Sequence, residues 1–229
     1  SYAGEVLERR VKPLAESIGC TFVEPCDVTR DEDIAAVASK AAEAFGKIDI
    51  LVHAIAFANR DDLSNPYVQT SRAGFHLAMD VSVYSLVALT NAFEGMMNPG
   101  GSVLTLTYHG GVKVVPHYNV MGVAKAALEA SMRYLAYDLG PAGIRVNALS
   151  AGPVRTLAAA GIAGFKEMYK AFADMAPLRQ NITIEDLGNA ALYLCSDMAA
   201  KVTGEVHYVD SGYNIMGMPD RDTRGEMSD

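Results

Sequence analysis

Leu104–Ala130 reads LTLTYHGGVKVVPHYNVMGVAKAALEA, and its two halves favour different backbones. The first half continues an apolar run, Ser102 to Tyr108, that suits a strand. The second half opens an alanine-rich helix running from Tyr118 to Leu139. The same alternation extends outward in both directions. Upstream, Gly4 to Ile18 reads as a helix with Val6, Leu7, Val11, Leu14 and Ile18 near one face, and Pro13 marks a kink or restart. Cys20 to Glu24 reads as a short strand, and Thr29 with Glu32 forms a capping-box pattern opening a helix that Gly46 ends. Ile48 to Ile55 is nearly continuous apolar strand, as expected when helices cover both faces. A long helix from Ser71 to Met97 is closed by Asn98-Pro99-Gly100-Gly101. Downstream, strands over Ile144 to Ala151 and Glu205 to Val209 flank a helix starting near Thr183, where Asp186 completes a second capping pattern.

Repeated strand–helix–strand order predicts an α/β fold, a Rossmann-like doubly wound parallel sheet with helices on both faces. One domain spans residues 1–218, and a charged, mobile tail covers 219–229. Such sheets bind ligands beyond the carboxyl ends of their strands. The unusual residues gather there: Asp27, His53 to Phe57, Tyr108, and Ser150 to Thr156. A glycine-rich phosphate turn is not among them. Gly100-Gly101 precedes a strand, and Gly110-Gly111 follows one without the G-x-G-x-x-G spacing.

Composition narrows the function classes. A net charge of -8 argues against nucleic acid, which needs a basic face. No apolar run approaches the roughly 20 residues of a bilayer span, and no signal-peptide pattern opens the chain. The expectation is a soluble cytoplasmic domain without a membrane partner. Cys20, Cys26 and Cys195 are odd in number and lack ligand spacing, so they read as small buried thiols of a reducing compartment. His53, His76, His117 and His207 are not spaced as metal ligands, and no metal is expected.

Tyr118 and Lys125 are the sharpest chemical signal. Seven helical steps return a side chain to within roughly 20° of its start, about 10 Å further along the axis. A phenol and an ammonium on one face can hold one extended ligand. A half-buried tyrosine beside a solvated lysine is the plain alternative for any such pair. His109, in a loop after Tyr108, is a lesser candidate for general base.

The pattern Tyr108-x9-Tyr118-x6-Lys125 resembles the enoyl-reductase branch of the short-chain dehydrogenase/reductase family. PHYNVMG, AKAALEA, SAGPVRTLAAAGI (Ser150 to Ile162), TIEDLGNAALYLCSD and TGEVHYVDSGY are similar to that family too, so the likeness covers all but the tail. Ordinary dehydrogenases of the family carry Tyr-x3-Lys with a serine thirteen residues before the tyrosine. Here Gly122 stands at that lysine position and Thr105 at the serine position.

The resemblance implies NADH-dependent reduction of a trans-2-enoyl thioester carried on acyl carrier protein, in bacterial fatty-acid synthesis. Hydride would reach the β-carbon, and the charge left on the thioester oxygen would need a donor. It implies Tyr118 as that donor, Lys125 on the cofactor ribose, and Tyr108 beside the substrate or assisting proton delivery. For the cofactor it implies Asp27 and Val28 at the adenine, His53, Ala54 and Ile55 beside it, and Ala151, Gly152, Pro153, Val154 and Thr156 at the nicotinamide and pyrophosphate. For the acyl group it implies Ala56, Phe57, Met121, Ala158 and Phe165, with core packing as a competitor for the last three. The segment through Gly164 reads as a lid, and Lys166, Lys170 and Arg179 beyond it could meet an acidic carrier protein. A homotetramer through the helices holding Asp80 to Met97 and Tyr118 to Leu139 is implied as well.

The family's first strand and glycine-rich turn have no counterpart after Ser1. The expectation is a chain shorter than a working enzyme, with weakened NADH binding. NADH is the family default, and NADPH stays open because the second-strand end that separates the two lies outside the sequence. Two other readings stand: a dehydrogenase acting on a hydroxyl or ketone, and a non-catalytic remnant that associates with full-length partners.

Overall fold

A computed structural model describes residues 1–154 and 165–218. Its centre is a four-stranded, all-parallel sheet in the order β1 (Ile48–His53), β2 (Met97–Thr107), β3 (Arg145–Ala151), β4 (Val206–Val209). Two helices precede β1, α1 (Glu5–Ser17) and α2 (Asp31–Phe45), and between the strands run the short α3 (Arg60–Ser64), α4 (Arg72–Met79), α5 (Ser85–Phe93), α6 (Asn119–Leu139), α7 (Phe165–Met175) and α8 (Ile184–Cys195). In β2 and β3 alternate residues serve opposite faces, as the pleat requires. Val103, Val146 and Ala148 pack with α6 residues such as Leu128 and Met132, while Leu104 and Leu149 pack with Leu194 of α8. Helices on both faces bury even the polar residues of these strands, Ser102, Thr105, Arg145 and Asn147 among them. A third cluster packs α2 residues Ile34, Val37 and Ala41 on Leu89 and Phe93 of α5.

α4 and α5 form one helical run through a π-helical turn at Asp80–Tyr84. Ser71 caps it by accepting from the Gly74 amide, as the sequence suggests. By length and composition Arg72–Met96 could cross a membrane, but half of its most apolar window is buried within the protein.

Four local readings need correction. Cys20 to Glu24 forms no strand: Tyr2 and Pro25 make an isolated bridge, and a ladder needs a longer partner. Thr29 does not cap α2. Its hydroxyl and amide both donate to Asp27, so Arg30 takes the cap position with no side-chain bond. β1 ends at His53 rather than Ile55, and Ile50 and Val52 remain about half exposed, so helices cover it less fully than expected. The residues from Asn98 to Gly101 lie in β2 rather than acting as a helix stop, since the helical run already ends at Met96. Thr183 and Asp186, by contrast, make the full reciprocal capping box of α8.

Candidate active site

β2 ends at Thr107, and the next residue is Tyr108. After a 3-10 turn at His109–Gly111, Tyr118 stands at the N-cap of α6. The Tyr108 and Tyr118 rings meet edge to face with centroids 4.9 Å apart, so residues ten apart in sequence form one aromatic corner. Burial raises the Tyr108 hydroxyl to about 12, with Tyr213 adding to the effect. Burial, then Tyr108, raises Tyr118 still more strongly. Both phenols are neutral donors over the physiological range.

Lys125 is only 6% exposed, and its Nζ donates to the Leu106 carbonyl at 2.7 Å. Burial lowers it to about 8, opposed by the nearby Glu129. The solvated-lysine alternative therefore fails. An ammonium carries three donor hydrogens, and one described bond leaves two for a ligand. That donor set fits ribose hydroxyls.

Glycine at two positions decides how closely this corner closes. A Cβ on Gly110 would lie 2.5 Å from the Tyr118 ring. A Cβ on Gly122 would lie 2.8 Å from the Gly110 carbonyl oxygen. No lysine fits at the position where ordinary dehydrogenases carry theirs. Thr105, at the serine position, is fully buried and turned toward β1, where its Oγ1 meets His53 Nδ1 at 2.9 Å. Both departures exclude the hydroxyl-dehydrogenase constellation physically.

Other expected site residues contribute differently than their place in sequence suggests. The His53 ring is buried, with Nδ1 on Thr105 and Nε2 on Ser85 at 2.8 Å, so both ring nitrogens are engaged within the protein. Burial, and then Lys125, lowers it to about 4 and keeps it neutral. Val28 belongs to the core cluster beneath α2, and Ile55 packs against that cluster. Asp27 has its carboxylate committed to Thr29, whose bonds hold it below the usual carboxylate range. Ala54, Ala56 and Phe57 are exposed on the loop after β1. Met121 is buried, its sulfur 3.8 Å from Ser82 Oγ, which favours core packing over pocket lining.

Ala151, Gly152, Pro153 and Val154 leave the carboxyl end of β3, and the Gly152 amide donates to Val209 of β4. A Cβ on Gly152 would meet the Phe172 ring at 2.9 Å. Thr156, Ala158 and the lid through Gly164 lie outside the described residues, as do the side chains of Phe165 and Lys166. The His109 and Tyr213 rings meet edge to face, centroids 5.6 Å apart, and the buried His109 Nδ1 has no hydrogen-bond partner among the described residues.

Sequence reasoning passed over several residues that build this corner. Asn119 Nδ2 donates to the carbonyls of Leu63 and Asn65 at 2.9 and 2.8 Å, fastening α3 to the head of α6. Its φ is positive, 41°, a region asparagine tolerates, but a lone asparagine in the sequence does not signal it. Ser82, in the π-helical turn, accepts from the Phe57 amide at 3.0 Å and reaches its carbonyl at 3.2 Å. Glu129, only 5% exposed, accepts from Thr107 Oγ1 at 2.7 Å.

The family model described as enoyl-(acyl carrier protein) reductase matches residues 1–214. A Rhizobium meliloti protein named enoyl-[acyl-carrier-protein] reductase [NADH] 1 is 56% identical over 218 residues, 95% of this chain and 80% of that protein. The Bacillus cereus enoyl-acyl carrier protein reductase, solved with NADP+ and indole naphthyridinone, superposes with a TM-score of 0.92 at 52% identity, covering 95% of this chain and 85% of that one. The Anaplasma phagocytophilum reductase, solved in complex with NAD, gives 0.91 at 47% identity, covering 96% and 82%.

Proposed function

The chain belongs to the enoyl-(acyl carrier protein) reductase family, and from that premise we propose that Tyr118, Lys125 and Tyr108 are the residues with which it reduces the trans-2 double bond of an enoyl thioester. The observation that carries the assignment is the buried Lys125 at the carboxyl end of β2, on the helix that Tyr118 heads. NADH, the cofactor in the names of its relatives, supplies the hydride when bound.

The protein's own task is to receive charge on the thioester oxygen. Tyr118 is a neutral phenol whose proton is held tightly, so it donates a hydrogen bond to the developing enolate without ionising. Lys125 holds the ribose with its two remaining N–H groups and adds positive potential. Tyr108 braces the Tyr118 ring and closes the corner against water. The backbone from Ala151 to Val154 and the backbone at His53 are the further cofactor contacts, with Asp27 at its adenine end. Ala56 and Phe57 border the acyl group.

The thioester arrives on acyl carrier protein, and exposed Lys170 on α7 suits an acidic partner. The working assembly is a homotetramer. Three free thiols support a reducing, cytoplasmic setting.

NADH oxidation with a short trans-2-enoyl thioester tests the assignment. Tyr118→Phe should lower kcat by about 10²–10³, the scale for removing one oxyanion donor, with NADH affinity unchanged. Native turnover in that variant would overturn the role of Tyr118. Binding of NADH without thioester reduction by the native chain would overturn the reaction.

A further inference from the structure

Two consecutive residues at the end of β2 each reach α6. Leu106 accepts from Lys125 Nζ, and Thr107 Oγ1 donates to Glu129 Oε1, both at 2.7 Å. Lys125 and Glu129 are one helical turn apart, both more than nine-tenths buried, and no direct ion pair joins them among the described residues. Gly111 closes the space above: a Cβ there would stand 3.0 Å from Glu129 Oε1 and 3.1 Å from the Ala126 amide nitrogen. The carboxylate is therefore confined to the side of α6 that holds the lysine.

A single hydroxyl does not offset the burial of a full negative charge. A glutamine would accept the same bond from Thr107 without that penalty. The unmet requirement is a counter-charge, and the buried ammonium one turn away supplies it. We propose that Glu129 is a positioning residue for Lys125, a buried carboxylate fixed by Thr107 whose negative charge keeps the lysine protonated where it meets the ligand. The proposal rests on the reading of Lys125 given above.

Electrostatics around the pair agree. Burial lowers Lys125 and Glu129 raises it, so their opposition leaves it near 8. His53 from β1 is held near 4 by burial and by Lys125 itself, and is neutral. Tyr108 beyond β2 and Tyr118 at the head of α6 are neutral phenols, both raised by burial. Tyr208 on β4 is raised by burial, then by Glu129 and by Asp210 just past the strand. Among these groups Glu129 is the one that raises Lys125. Without its charge the lysine loses its proton at lower pH.

The test follows the ε-carbon of 13C-lysine in the ligand-free full chain by NMR, with Lys125 assigned from a Lys125→Arg spectrum. In Glu129→Gln the Lys125 midpoint should fall, and the charged-to-neutral ratio at pH 8 should drop by about threefold or more. Glu129→Asp, which keeps the charge, should restore most of the midpoint. An unchanged midpoint in Glu129→Gln overturns the proposal. Should that variant not fold, the native Glu129 δ-carbon should show an inflection at the Lys125 midpoint, and its absence overturns the proposal equally. With thioester and NADH, the alkaline limb of kcat/KM should move to lower pH alongside the NMR midpoint. Lack of turnover in the native chain would count against the reaction, while the NMR result still decides the coupling.

Discussion

His53 couples the stability of the protein to pH. Its folded value is about 4, against an ordinary 6.5, because burial and then Lys125 disfavour the imidazolium. Between those values the unfolded chain binds a proton that the folded chain refuses, so unfolding gains on acidification. The contribution is fully present above pH 6.5 and is lost as pH falls toward 4, by about 3 kcal/mol at most. Urea unfolding from pH 7 to 4.5 should show this slope, and His53→Gln should flatten it. An equal slope in that variant would place the acid sensitivity elsewhere. Gly122 makes a second residue-scale prediction. With the Gly110 carbonyl 2.8 Å from its missing Cβ, Gly122→Ala should destabilise by about 1–3 kcal/mol, and Gly122→Lys should not create ketone reduction. At this scale Tyr118 and Lys125 could be picked out because seven helical steps allow a shared face, but spacing alone left the solvated lysine open, and only the burial of Lys125 removes it. Glu129 could not be picked out: a glutamate four residues after a lysine reads as an exposed helix pair. Only the end of β2, through Thr107, turns it into a buried partner.

Among the elements, the π-helical turn between α4 and α5 has a job that an uninterrupted α-helix would not do as directly. Its Ser82, fully buried, meets both the amide and the carbonyl of Phe57 and so fixes the loop after β1 on which Ala56 and Phe57 lie. Ser82→Ala should destabilise by about 0.5–1.5 kcal/mol, the net worth of a hydrogen bond, since the half-exposed Phe57 groups can turn to water instead. It should also raise KM for the thioester more than it lowers kcat, because the proposed function sets Ala56 and Phe57 beside the acyl group and away from the reacting oxygen. Steady-state kinetics on two acyl lengths would check this, and a pure kcat effect would contradict it. The long, strongly periodic α6 and the covered strand β3 read nearly to their ends from sequence, and β2 did so from Ser102 onward, its first five residues having been read as helix end and stop. The π-helical turn did not, since its sequence DVSVY continues an ordinary helical pattern. The capping boxes show why local patterns divide. Thr183 has Asp186 within reach and no competitor, whereas Thr29 finds Asp27 two residues back and turns toward it.

For the whole molecule, the question is what covers the outside of α6. Its inner face carries Lys125, Leu128, Glu129 and Met132 into the core, while Tyr134 and Tyr137 stand 75% and 81% exposed. Tyrosines are large, and two of them one turn apart on a single helix mark a surface suited to another chain. Covering that surface with α6 of a second copy would brace the helix that positions Tyr118 and Lys125, so assembly and activity should fall together. The prediction is a mass of four chains by sedimentation equilibrium for the native protein. Tyr134→Asp with Tyr137→Asp should give a smaller species whose thermal midpoint is lower and depends less steeply on protein concentration, because bound partners stabilise the folded state by mass action. Its kcat should recover at high concentration if the helix is intact and only the contact is weakened. A double variant that keeps the native mass would show that α6 is not the contact, and would leave these two tyrosines as ordinary exposed surface.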